Sequence, residues 1–163
     1  MPKITANDLD LYVRPLEEKD VETIVPNLRD SDVLELAAIM GPGKTTLDAV
    51  QYSTDVSKEK YSLVLEGKVI AVWGVSDSQI VDNFGIPWLV ATPAIEDLYV
   101  KVARFSRDWV KHISRDYEAL YNFVHAPHWQ SQKWLQMCGF NVVTSHKYGF
   151  NGEDFYLFLK ECS

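Results

Sequence analysis

A chain of 163 residues, 47% hydrophobic and 24% charged, has the size and composition of one soluble globular domain with a real core. Its net charge of −7, from 16 Lys and Arg against 23 Asp and Glu, opposes general nucleic-acid binding, which needs a positive field. Cys138 and Cys162 lack metal or redox spacing and read as free cytosolic thiols. No apolar run reaches the roughly 18–20 residues of a membrane span, and Met1, Pro2, Lys3 and Ile4 do not start a signal peptide.

In chain order, residues 9–15 alternate apolar and polar, a strand ended by Pro15. Residues 17–28 read as a helix with Pro26 near its end, and 31–40 as a second helix stopped by Gly41. Residues 45–52 read as a short helix with a threonine cap. Two β-rich runs, 61–66 and 68–76, flank Glu66-Gly67 as a hairpin, and 77–84 is a polar connection. Next comes a buried strand over 86–91, then a helix over 93–113. Ile95, Leu98, Val102, Phe105, Trp109 and Ile113 share one face of that helix; Lys101, Arg104, Arg107, Lys111 and Arg115 share the other. Thr92 is placed to cap it, Pro93 suits its first position, and Glu96 and Asp97 suit its first turn. A strand over 119–124, a helix over 127–138 and a terminal hairpin (141–148 and 154–159, turning at Asn151-Gly152) complete the chain. This order specifies an α+β fold: one mixed, mostly antiparallel twisted sheet with helices on both faces, in a single domain over 1–163.

Gly41-Pro42-Gly43-Lys44-Thr45-Thr46 imitates a phosphate-binding loop, but Ala38 stands where the first glycine belongs, and a helix precedes it instead of a strand. It reads as a loop between helices. His125 and His128 lie at a strand end and a helix start; capping and hydrogen bonding are the plain reading, catalysis the sharper one, and no third ligand at short spacing suggests a metal. Cys138, at a helix C-terminus, reads as core. The basic helix face reads either as a solvated surface or as a dock for an acidic partner protein.

The motifs Val13-Arg14-Pro15 with Glu17-Glu18-Lys19-Asp20, and His128-Trp129-Gln130-Ser131-Gln132-Lys133-Trp134-Leu135-Gln136-Met137-Cys138-Gly139-Phe140, resemble the opening and the Gly-Phe-ended helix of the GNAT acyltransferase superfamily. Further segments resemble GNAT-like proteins of tailed phages, a group that includes the podophage internal virion protein A. They are the run from Arg29 to Leu36, Gly74-Val75, the run from Gly85 to Thr92, Arg104-Phe105-Ser106-Arg107, and Trp134-Leu135 before Gly139-Phe140. The resemblance implies a GNAT-like fold and a protein made in the cytoplasm of an infected bacterium or carried in the virion.

The superfamily's enzymes hold the acyl-CoA pyrophosphate on a glycine-rich turn after the fourth strand. Here that turn runs through Ala91, Thr92, Pro93 and Ala94, lacks glycine, and carries Glu96 and Asp97 where negative charge is unwelcome. Strand 86–91 has no carboxylate for the general base, Leu135 stands at the usual tyrosine acid, and His128 replaces the usual asparagine. The leading expectation is therefore no cofactor, and action through contact with a host bacterial protein or a phage virion protein. Contact would run through Lys101, Arg104, Arg107, Lys111 and Trp129, with no membrane or nucleic acid involved. One alternative is an atypical acetyltransferase, with acetyl-CoA on Ala91, Thr92 and Ala94 and with His125 or His128 moving the proton. Another is a structural virion component. A homodimer through the aromatic last hairpin and plain core packing of that hairpin remain equal readings.

Overall fold

A computed structural model describes residues 10–162; Leu9 of the first strand and the opening Met1, Pro2, Lys3 and Ile4 lie outside it. The elements are β1 (Leu11–Pro15), α1 (Glu18–Ile24), α2 (Asp30–Met40), α3 (Thr46–Val56), β2 (Ser57–Leu65), β3 (Lys68–Asp77), β4 (Phe84–Ala91), α4 (Tyr99–Ile113), β5 (Ala119–His125), α5 (Trp129–Met137), β6 (Asn141–Tyr148) and β7 (Glu153–Glu161). Among the described residues seven strands form one sheet in the order β1-β2-β3-β4-β5-β7-β6. Every neighbouring pair is antiparallel except β4 and β5, which run parallel and pair only at Phe84 with Ala119 and Gly85 with Leu120. The mixed α+β sheet with helices on both faces is the expected class.

Two cores sit on opposite faces of the sheet. Trp73, Phe105, Trp109, Leu120 and Phe158 pack between the sheet and α4 with α5, with Trp73 and Phe105 edge to face at 5.7 Å. Val21, Ile24, Val50, Val72 and Val90 pack under α1 and α3. Buried Asp20 fastens the first strands. It accepts from Arg14 Nη1 at 2.6 Å, from the Glu17 backbone N–H at 2.8 Å and from Ser62 Oγ at 2.7 Å. Burial works to raise its carboxyl, but these partners outweigh burial and hold it below the usual range.

Several boundaries differ from expectation. Helix 17–28 ends at Ile24 and tightens into a 3-10 turn, Val25–Asn27, because Pro26 has no N–H to continue the ladder. α3 runs four residues further than expected, to Val56, and β2 starts at Ser57. The charges of Lys58, Glu59 and Lys60 hid that strand start. Glu66 and Gly67 both have positive φ, as a two-residue primed turn requires. β7 extends over Glu153–Glu161, and its Phe155 and Phe158 are fully buried, so core packing accounts for them.

The largest correction concerns Thr92 and the start of α4. The segment Pro93–Leu98 is a 3-10 turn, and α-helical geometry begins only at Tyr99. Spacing of three puts Ile95 and Leu98 on one side of a 3-10 turn, so both are buried. Thr92 does not cap with its side chain: its hydroxyl is buried without a hydrogen-bond partner among the described residues. Its backbone serves instead, with N–H donating to Ile70 O and C=O accepting from Ile95 N.

Candidate functional site

The parallel strands β4 and β5 part after Gly85, and the opening between them is the natural place for a ligand in this sheet. The backbone of Thr92 bonds back to β3, so that of Ala91 turns toward the opening. Both of its polar groups are taken. Its N–H donates to Asp32 Oδ2 at 2.9 Å, and its C=O accepts from the Arg29 N–H at 2.9 Å. The start of α2 thus pairs with the last residue of β4. Nearer the strand junction, Asn122 Nδ2 donates to Pro87 O at 2.7 Å across the gap, and Pro87 has no N–H of its own to offer.

Asp32 is the hub. Arg29 donates to it through Nε and Nη2, each at 3.1 Å, and His128 Nε2 lies 2.6 Å from Oδ1. Arg29, Asp32 and His128 are all buried. Burial works to raise the Asp32 carboxyl, yet the His128 hydrogen bond and the Arg29 guanidinium outweigh it and hold the carboxyl below its usual range. His128 also caps α5, because its Nδ1 accepts the Ser131 N–H at 3.3 Å. An accepting Nδ1 assigns the proton to Nε2, which donates to Asp32. Arg29 reaches further, with Nη1 3.3 Å from Glu96 Oε1, and so ties α2 to the turn before α4.

The neighbouring acid is Glu35, one turn along α2. Its Oε2 accepts the His125 N–H at 2.9 Å, and burial pushes its carboxyl above the ordinary range against the opposing pull of His128. His125 Nε2 lies 2.9 Å from Glu153 Oε1. Among the described residues no group of three or more His, Cys, Asp or Glu is arranged to hold a metal ion. The cleft beside this network, between α4 and α5, is lined by Arg29, Leu89, Glu96, Tyr99, Gln130 and Trp134 and has a volume of about 20 Å³, room for roughly one water. Thr92 Oγ1, Gln130 Oε1 and Trp134 Nε1, all buried, have no hydrogen-bond partner among the described residues.

Of the expected residues, His128 and Ala91 meet on Asp32, whereas His125 reaches α2 only through its backbone N–H and turns its imidazole to Glu153. Ala94 sits on the 3-10 turn and packs against the core. Lys101, Arg104, Arg107 and Lys111 are exposed on α4, and Trp129 is 59% exposed on the first turn of α5. Leu135 is buried in the core. Sequence reasoning missed Arg29, Asp32, Glu35 and Glu96 as partners. Arg29, Asp32 and Glu35 at spacing three were the available signal, and Glu96 was read as a first-turn acid and as a charge unwelcome to phosphate.

No protein-family model matches the chain, and no curated protein does. Solved structures do. The ribosomal-protein-S5-alanine acetyltransferase from Vibrio fischeri is 15% identical with a TM-score of 0.68, covering 100% of this chain and 98% of that one. A GNAT-family acetyltransferase from Bacillus anthracis is 15% identical with a TM-score of 0.68, covering 99% of each chain. The putative acetyltransferase yncA from Salmonella typhimurium, solved with its cofactor acetyl-CoA, is 14% identical with a TM-score of 0.66, covering 94% of each chain. At these identities the likeness shows the fold: the chain has the GNAT fold of acetyltransferases. No helix among the described residues is long and apolar enough to cross a membrane.

Proposed function

We infer that this chain uses a GNAT fold without its acyl transfer and works by contact with another protein. One observation carries the reading: both backbone groups of Ala91, at the opening where the sheet would receive an acyl-CoA arm, are bonded to the start of α2. The Arg29–Glu96 pair and the one-water cleft support it. So does the turn after β4, where Pro93 withholds an N–H and Glu96 repels phosphate. Displacing Asp32 from Ala91 would remove one of the four donors to a buried carboxylate, an outlay of about 1.5–3 kcal/mol that a cofactor would have to offset.

Exposed Lys101, Arg104, Arg107, Lys111 and Trp129 are the surface for that contact, and an acidic protein face is the partner they suit. The resemblance of residues 29–36 and 85–92 to GNAT-like phage proteins supports placing the contact in an infected bacterium, with a host protein or a virion protein. Mass spectrometry of purified particles decides between host and virion.

A second reading, an atypical acetyltransferase, is favoured by the fold it shares with a structure holding acetyl-CoA and by the unpartnered Gln130 and Trp134 atoms of residues lining the cleft. It would require the Arg29–Glu96 pair to part. Glu35, its carboxyl pushed up by burial, would then be a better base than His128, whose Nδ1 already accepts from Ser131. Titration calorimetry with acetyl-CoA separates the two. The proposal expects no saturable heat up to about 1 mM; a dissociation constant near 1 μM, corresponding to about −8 kcal/mol, overturns it.

A further inference from the structure

The two helical layers carry opposite charge. On residues 17–56, which include α1, α2 and α3, the exposed charges are Glu17, Glu18, Glu22, Asp30, Asp48 and Asp55 against Lys19 and Lys44, a net of −4. Residues 99–115 hold five Lys and Arg against Asp108 alone, a net of +4, and Lys133 on α5 adds one more. The two cores show that these layers lie on opposite faces of the sheet. A chain of net charge −7 has acid to spare, yet among the described residues no carboxylate lies within salt-bridge distance of Arg104, Arg107, Lys111 or Arg115. At about 100° per residue Arg104, Arg107 and Lys111 fall within one arc of roughly 60° on α4, and Arg115 follows on the 3-10 turn after it. Apolar side chains sit among the charges of both layers: Leu34 and Tyr52 are 59% and 64% exposed on the acidic side, Val100 and Trp129 are 60% and 59% exposed on the basic side.

We propose that copies of this chain associate head to tail, the basic α4–α5 layer of one copy seated on the acidic α1–α3 layer of the next. The proposal rests on the protein-contact reading above and names the partner as a second copy. The acidic surface that α4 calls for is one the chain itself presents. Facing layers in contact lie closer than the screening length of about 8 Å at physiological salt, whereas the net charges of the two copies are spread beyond it and largely screened. Asp108 lies beside the arc, which suits a protein face of mixed charge and penalises the continuous negative charge of a nucleic acid. The surfaces that meet are different on the two copies, so the contact is heterologous and propagates into a ring or an open string.

Sedimentation velocity of the full chain in about 0.15 M salt tests this, from about 1 μM to about 1 mM. The weight-average sedimentation coefficient of the wild type is expected to rise with concentration. Arg104→Glu with Arg107→Glu, and separately Glu22→Lys with Asp55→Lys, should each weaken association at least about tenfold, with circular dichroism and melting temperature confirming the fold. An equimolar mixture of the two variants should regain it, because the intact basic layer of one meets the intact acidic layer of the other. A wild type that stays monomeric throughout overturns the proposal, and so do reversals without effect or a mixture that does not recover. Retention of a labelled single-stranded oligonucleotide that the Arg reversal abolishes, with no self-association, overturns it in favour of a nucleic acid. A monomeric wild type that also gives no heat with acetyl-CoA removes the self-pairing and leaves the closed-cleft reading standing; saturable acetyl-CoA heat strikes that reading instead.

Discussion

Replacing Asp32 by alanine removes the hub of the buried network in one step. Four donors lose their acceptor: Arg29 Nε, Arg29 Nη2, His128 Nε2 and the Ala91 N–H. Glu96, 3.3 Å from Nη1 and more exposed, is the remaining carboxylate partner of the buried guanidinium. Breaking a buried ion pair from one side costs about 3–5 kcal/mol, and at roughly 2–4 °C per kcal/mol for a chain this size the melting temperature should fall by about 6–20 °C. Asp32→Asn is the milder control, since its amide oxygen can still accept from Ala91; a loss of about 1.5–3 kcal/mol is expected. Urea unfolding followed by tryptophan fluorescence reads both. The pH dependence adds a signature. Asp32 has a depressed folded-state pKa, so its contribution is fully present above the unfolded value near 3.9 and is lost as pH falls through the lower folded value. The gap between wild type and Asp32→Asn should therefore be constant from pH 5 to 7, within the range of about 5–8 typical of maximal stability, and close in acid. A loss below about 1 kcal/mol in Asp32→Ala would refute the reasoning, because an exposed pair would give that much.

Glu35 carries the opposite sign. Its folded-state pKa is raised, so the wild type loses stability as pH rises from the unfolded value through the folded one; Glu35→Gln, which keeps an acceptor for His125, should melt higher than wild type at pH 7 and alike near pH 4. Cys138 is buried and its thiol is pushed up to about 12, so it should resist a thiol reagent at pH 8 at the rate of global unfolding, while the partly exposed Cys162 reacts at once. Gly149→Ala should destabilise by about 2 kcal/mol or more in thermal melts, since Gly149 has φ +77° and an added Cβ would lie 2.6 Å from Ala38 O.

The order of elements was legible because hydrophobic period survives without knowledge of the fold. The apolar stripe from Ile95 to Ile113 marked α4 and its core, and Glu66-Gly67 marked its hairpin. What stayed hidden depended on partners far along the chain. Asp32 meets Ala91 59 residues on and His128 96 residues on, and no local pattern encodes such a meeting. The same holds for Thr92. It had the residue type and position of a cap, but the burial of Ile95 and Leu98 tightened the turn, and its hydroxyl was left inside. That the start of α2 bonds both backbone groups of Ala91 was readable only in three dimensions.

The Ala91 amide reports most directly on whether the opening of the sheet is closed by α2. In a ¹H–¹⁵N spectrum of the labelled protein, its resonance should show strong protection from solvent exchange, stay in place as acetyl-CoA is added to about 1 mM, and lose protection in Asp32→Ala. An Ala91 amide that exchanges freely in the wild type, or that shifts and saturates with acetyl-CoA, would contradict the account.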